Sequence, residues 1–288
     1  MIKAIALTSL ALAALMAAAV PGFVHWSGAE LTSWNAKLAS QMKGKTSHGT
    51  DLAKFGNHWS SITRRTADGE AEIHAKVTDI FIAEAGEATL ITGGTLKSPR
   101  SEGPGETRGA AIEGGQRVTL RPGDIVHIPA NLPHQLLVKK EFLYFVTKVQ
   151  EQAPADPKGY AYWSKAVLAA YSPKLKAKLE GKNVATQSLG NWGTHSFMLV
   201  FRTSDGEAEV HDKHVDYFWI LSGAPQVAVG GRALEPRNTG PGEIRGSTIQ
   251  GGDRTPMKIG DIAHIPAAVP HQALTQGDLL YAVLKVTQ

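Results

Sequence analysis

The sequence predicts a mainly β protein built twice over. Three observations carry that expectation. Residues from His58 to Val149 align without a gap on His195 to Val286, at a constant offset of 137. Thirty glycines and fifteen prolines punctuate short runs rich in Val, Ile and Leu, the pattern of strands joined by tight turns. An apolar fraction of 42% beside 19% charged residues belongs to a chain that buries a core.

Met1 to about Gly22 has the form of a secretory leader: Lys3, an apolar run from Ala4 to Val20, then Ala17-Ala18-Ala19 before Pro21. Residues 1–22 are read as a signal peptide, with cleavage expected after Ala19. The mature protein is expected in the periplasm or outside the cell, with no stable membrane insertion once the leader is removed. A mature chain starting at His25 could bind copper through its own amine. It would need cleavage after Val24, and a β-branched residue is poorly accepted there.

Ser27-Gly-Ala-Glu30 has the form of a capping box, and Leu31, Trp34, Leu38 and Met42 follow at helical spacing. A short amphipathic helix is expected, its apolar stripe packing on its own half or on a partner subunit, which leaves room for a homo-oligomer. Trp26-Ser27 is matched by Trp163-Ser164, so the duplicated unit includes this helix. Pro173 should break the second copy near Tyr171. Gln150 to Lys158, with two prolines, reads as the linker, and a boundary near Asp156 gives units 23–155 and 156–288.

The absence of cysteine excludes disulfides, thiolate catalysis and iron–sulfur clusters, so any metal must be held by His and carboxylates. The net charge is +4 and no basic run is interleaved with aromatics. No nucleic-acid partner is expected.

Chemistry concentrates in Glu72-x-His74 followed by Asp79, repeated as Glu209-x-His211 followed by Asp216. Alternate residues of a strand share a face, so each Glu projects beside its His. Two carboxylates and an imidazole suit a hard or borderline divalent ion. A fourth ligand is supplied downstream by Gly123-Asp-Ile-Val-His-Ile-Pro129 leading to His134, and by Gly260-Asp-Ile-Ala-His-Ile-Pro266 leading to His271. Facing carboxylates in a dry interior repel unless a cation or a shared proton intervenes.

These motifs resemble those of cupin domains, and the whole chain resembles a bicupin. Glu72, His74 and Asp79 stand at the first-motif ligand positions with Gly86 closing it, and Gly123, Pro129 and His134 match the second motif. In the other half the places are taken by Glu209, His211, Asp216, Gly223, Gly260, Pro266 and His271. The resemblance implies two tandem jelly-roll β-barrels, each preceded by a short helix and each holding a divalent metal. The first His of the family pattern is Glu in both halves, the motif Glu is Asp, and the usual Asn after the second motif is Val138 or Thr275. Two carboxylates and two imidazoles would neutralise a divalent ion, which favours Mn, Fe or Zn over copper. The set departs from three-histidine cupins such as oxalate decarboxylases and flavonol dioxygenases, so their activities do not transfer with the fold.

His127 and His264 lie on the second-motif strand, either as supporting partners of the ligands or as packed residues. His58 and His195, each seven residues before Arg65 or Arg202, are further candidates, and an Arg at a barrel mouth could fix a substrate carboxylate. Arg108 and Arg245, or Glu106 and Glu243, could line the same mouth. The expected function is a metal-dependent oxidoreductase or decarboxylase acting on a small carboxylated or hydroxylated molecule. The alternative is a binding or storage protein with a structural metal. A copper-dependent oxidative enzyme acting on polysaccharide fits the carboxylates less well.

Overall fold

The chain's most apolar strands, Val77–Gly86 and Phe142–Gln150 in the first half and His214–Ser222 and Leu279–Thr287 in the second, are buried almost without alternation. A strand reads this way when both of its faces are covered. The computed structural model describes residues 20–152 and 159–288 and shows what covers them. Each half is a pair of antiparallel six-stranded sheets enclosing a barrel interior, and one sheet of each pair lies against its counterpart in the other half. Phe81, Leu90, Tyr144 and Val146 fill the first barrel; Phe218, Val227, Tyr281 and Val283 fill the second. The alternate residues Ile80, Ile82 and Phe145 meet Tyr217, Trp219 and Leu284 in a core between the halves.

The leading helix forms where expected: α1 spans Gly28–Gln41, with Ser27 Oγ accepting from the Glu30 amide at 3.1 Å. Leu31 and Leu38 are fully buried. The second copy is divided into α2, Lys165–Ala169, and α3, Tyr171–Ala177, with Pro173 in the first turn of α3, where a missing N–H costs little.

The strand ahead of each helix crosses to the other half. Val24–Trp26 pairs with Ile262–Ile265 of the second half, whereas Ala161–Trp163 pairs with Ile125–Ile128 of the first. The halves therefore exchange edge strands, a connection that the linear boundary near Asp156 does not convey. The expected leader up to Ala19 and most of the linker lie outside the described residues. Among the described residues no helix is long and apolar enough to cross a membrane.

Gly86 shows why the motif needs that residue: its φ is +75°, and a Cβ there would sit 2.1 Å from the Glu141 carbonyl oxygen. Gly223 repeats the arrangement, with φ +89° and the Asp278 carbonyl oxygen at 2.8 Å.

Candidate metal centre in each barrel

Strand register assembles the site. Glu72 lies directly opposite His134 on one side and Arg108 on the other, and His74 lies opposite Glu106. In the second half Glu209 faces His271 and Arg245, and His211 faces Glu243. Asp79 and Asp216 enter from the facing sheet, each opposite a lysine, Lys148 or Lys285. Directly opposed residues project to the same face, so every one of these pairs meets inside its barrel.

The expected ligands converge. In the first barrel His74 Nε2 lies 3.5 Å from Asp79 Oδ2 and 3.7 Å from Glu72, and His134 Nε2 is 3.7 Å from both carboxylates. In the second, His211 Nε2 is 3.3 Å from Glu209 and 3.5 Å from Asp216, and His271 Nε2 is 3.3 Å from Asp216. Donors about 2.1 Å from one ion in tetrahedral geometry stand about 3.4 Å apart. Glu209, His211, Asp216 and His271 form one compact group; Glu72, His74 and His134 form another, with Asp79 beside the two histidines.

Ring nitrogens point to the same chemistry. His134 Nδ1 donates to the Leu132 carbonyl at 3.0 Å, and His271 Nδ1 donates to that of Val269 at 2.9 Å. This fixes the tautomer and turns an Nε2 lone pair into each site. Both Nε2 atoms are buried and have no hydrogen-bond partner. Burial also lowers the His134 pKa to about 4, which keeps that lone pair free. Glu106 Oε2 accepts from His74 Nδ1 at 2.6 Å, and Glu243 Oε2 from His211 Nδ1 at 2.5 Å. A carboxylate behind a ligating imidazole is the usual support of a metal histidine. The donor set fits a divalent cation.

Two cations already stand beside the carboxylates. Lys148 Nζ donates to Asp79 Oδ1 at 2.6 Å and approaches His74 Nε2 at 3.3 Å. Lys285 Nζ donates to both oxygens of Asp216, at 2.7 and 2.9 Å, and to His211 Nε2 at 2.9 Å. Arg108 contacts Glu72, and Arg245 reaches Glu209 at 2.6 Å. The facing acids therefore do not by themselves point to an ion; the bare Nε2 atoms of His134 and His271 do. Burial opposes ionisation of Asp79 and Asp216, yet the neighbouring lysine and histidines outweigh it and hold both pKa values well below the usual carboxylate range. His74 Nε2 and His211 Nε2, each 3.5 Å from an aspartate oxygen and beside a lysine ammonium, present their lone pairs to the site. A proton, the lysine ammonium and a metal ion all compete for the same Nε2 lone pair.

The four other candidate histidines are not at the site. His127 lies opposite Ile80, on the outer face of its strand, and His264 lies opposite Tyr217. His58 and His195 lie opposite Val149 and Val286. All four therefore belong to the interface between the halves. There His58 Nε2 meets His264 Nε2 at 3.1 Å, and His195 Nε2 meets His127 Nε2 at 2.8 Å. His264 Nδ1 donates to the Gly22 carbonyl and His127 Nδ1 to that of Gly159, which leaves the Nε2 of each as an acceptor. Phe55 stacks on His264 and Trp192 on His127, with centroids 3.5 and 3.6 Å apart. Strand parity sets this: each of the four lies opposite a residue one place from Asp79, Lys148, Lys285 or Asp216 and so faces away from the barrel interior.

Of the candidate arginines, Arg202 is brought inside the second barrel, where Nε donates to Tyr281 Oη at 3.1 Å and a terminal nitrogen reaches Glu209 at 3.5 Å. Arg65 takes the equivalent place with Tyr144 at 3.4 Å. A cavity of about 390 Å³ opens over the second centre, lined by Met198, Val200, Arg202, Glu209, Phe218 and Lys285 among others. Sequence reasoning missed the lysines, because a lone Lys on an apolar strand carries no motif; their register at the shared offset, Lys148 against Lys285, was the available signal.

The architecture is that of a bicupin, two cupin barrels in one chain. Salicylate 1,2-dioxygenase from Pseudaminobacter salicylatoxidans superposes with a TM-score of 0.63 at 12% identity, over 96% of this chain and 88% of that one. Its adduct with gentisate gives 0.63 at 10% identity, over 92% and 81%. A cupin 2 conserved barrel domain protein from Leptotrichia buccalis gives 0.53 at 12% identity, over 88% and 95%. These likenesses define the fold. No family model and no curated protein matches the sequence.

Proposed function

We propose that the protein is an exported metal-dependent oxidoreductase of the cupin type, acting on a small aromatic or aliphatic acid that carries a hydroxyl group. One observation carries the reading: in each barrel a buried Nε2 with no hydrogen-bond partner, on His134 or His271, is aimed at a carboxylate and a second imidazole. Glu72, His74, Asp79 and His134, and Glu209, His211, Asp216 and His271, would hold the ions. Mn, Fe or Zn suits this donor set better than copper. A bound ion of this kind supplies Lewis acidity and, if redox-active, electron transfer.

The chain's own groups favour a small anionic substrate in the second barrel. Met198, Val200 and Phe218 give the cavity an apolar wall for a ring or short chain, and Arg202 and Arg245 give it a cationic end. Both arginines lean on Glu209, which keeps them extended toward the cavity. The solved neighbour is a dioxygenase of salicylate, a hydroxylated aromatic acid, which supports the substrate class and leaves decarboxylation as the related alternative. Export rests on the leader-like start.

The test has two stages. Elemental analysis of protein purified without added metal should find Mn, Fe or Zn. Oxygen uptake is then measured with salicylate, gentisate and other small hydroxy acids, against a Glu72→Ala, Glu209→Ala double variant. Uptake by the native protein and not by the variant is expected; no uptake with any acid removes the dioxygenase.

A second reading has its own observation. Lys148 and Lys285 already give the aspartates a cation, which suits a barrel that binds a ligand without chemistry. Ligand binding that is indifferent to chelator would favour it.

A further inference from the structure

Each barrel directs a lysine at the atoms that a metal would need. We propose that Lys148 and Lys285 are built-in competitors of the metal, internal cations that must withdraw from a ligand histidine before an ion can bind, and so set the affinity of each centre. The proposal deepens the metal reading above and rests on it.

The geometry is the same in both copies. Lys148 stands opposite Asp79 in the strand pair and Lys285 opposite Asp216, so register delivers each ammonium to the barrel interior. An ordinary ion pair would end at the carboxylate. Here Nζ goes on to the imidazole, at 3.3 Å from His74 Nε2 and 2.9 Å from His211 Nε2. The Nδ1 atoms of those histidines are committed to Glu106 and Glu243, so Nε2 offers one lone pair and no more. That lone pair accepts a hydrogen from the ammonium or binds a metal; it cannot do both.

Withdrawal is physically open. The lysine side chains retain 21% of their exposure, whereas the aspartates retain 2%, so the flexible stem can retreat toward solvent while the carboxylate stays. In the first barrel the ammonium can even keep its bond to Asp79 Oδ1, because Oδ2 is the oxygen that faces His74 and His134. In the second it holds both oxygens of Asp216 and must retreat further. Removing the lysine charge leaves a buried carboxylate without its closest cation, and an incoming ion then gains the whole attraction.

The test titrates Mn(II) and Zn(II) into the purified protein and into Lys148→Met, Lys285→Met and the double variant, by calorimetry. Lys→Arg variants serve as controls that keep the charge. If a Met variant does not fold, Lys→Gln, which leaves a neutral donor for the aspartate, carries the same expectation. Loss of the charge should tighten binding at the altered centre by at least about tenfold, and the Arg variants should show no gain. Metal added to the native protein should also raise acylation of Lys148 and Lys285 by acetic anhydride relative to other lysines, read by mass spectrometry. Native protein that binds metal while the neutral variants bind it no tighter overturns the proposal and leaves the metal reading standing. Failure of native and variant proteins alike to bind either ion overturns both.

Discussion

Glu106 and Glu243 show how much one residue outside the ligand set can decide. Each accepts from the Nδ1 of a ligand histidine, fixing which nitrogen faces the barrel interior and making that nitrogen a better donor. Glu243→Gln should therefore lower metal affinity of the second centre by roughly 10- to 100-fold while leaving the fold intact. Calorimetric titration of the variant checks this, and an unchanged affinity would mean that the ring is oriented by packing alone. The pair is also where the sequence could be read only in part. Glu106 and Glu243 stand at the shared offset within Gly-Pro-Gly-Glu, a segment whose glycines speak of turns. That its glutamate lies opposite the histidine is a fact of register, which a turn-rich segment does not reveal.

At the scale of the element, the strand Val24–Trp26 has the largest consequence for its length. It extends the second barrel's sheet, with Trp26 opposite Ile262, and its indole packs 5.4 Å from Phe145 of the first half. One side chain thus ties both halves. Trp26→Ala is expected to cost about 3–5 kcal/mol, the range for a large aromatic lost from a close-packed core, measured by urea denaturation. A loss below about 1 kcal/mol would mean that the exchanged strand contributes little. The neighbouring helix was legible because its signals are local: a serine cap, then apolar residues at helical spacing. The exchange was not, because three residues of extended chain carry no mark of which sheet they will join.

For the whole molecule, the four interface histidines make the union of the halves sensitive to acid. Burial lowers the pKa of His58 and His195 to about 4 and of His127 and His264 to about 3. The unfolded chain protonates these rings below about pH 6.5, so between that pH and about 4 it binds more protons than the folded chain. Their contribution is therefore intact above about pH 6.5 and falls with acidification, by about 1.4 kcal/mol per pH unit for each ring. Urea midpoints at pH 7.5, 6 and 5 should fall steeply, and less steeply in a His127→Leu, His195→Leu variant. A midpoint that does not move between pH 7.5 and 5 would sink the idea.

The sequence by itself determined the duplication, the β class and the four candidate donors that converge in each half, because these depend on spacing along the chain or on repetition of the same residues. It also placed the capped helix and the break before Pro173. Only the tertiary structure decided that His58, His127, His195 and His264 face each other across the halves, that each leading strand joins the opposite barrel, and that Lys148 and Lys285 reach the ligands. The physical reason is the same in every case. A side chain's face follows from its own strand's alternation, but its partner follows from which strand lies alongside and in what register, and that is settled when the sheets form.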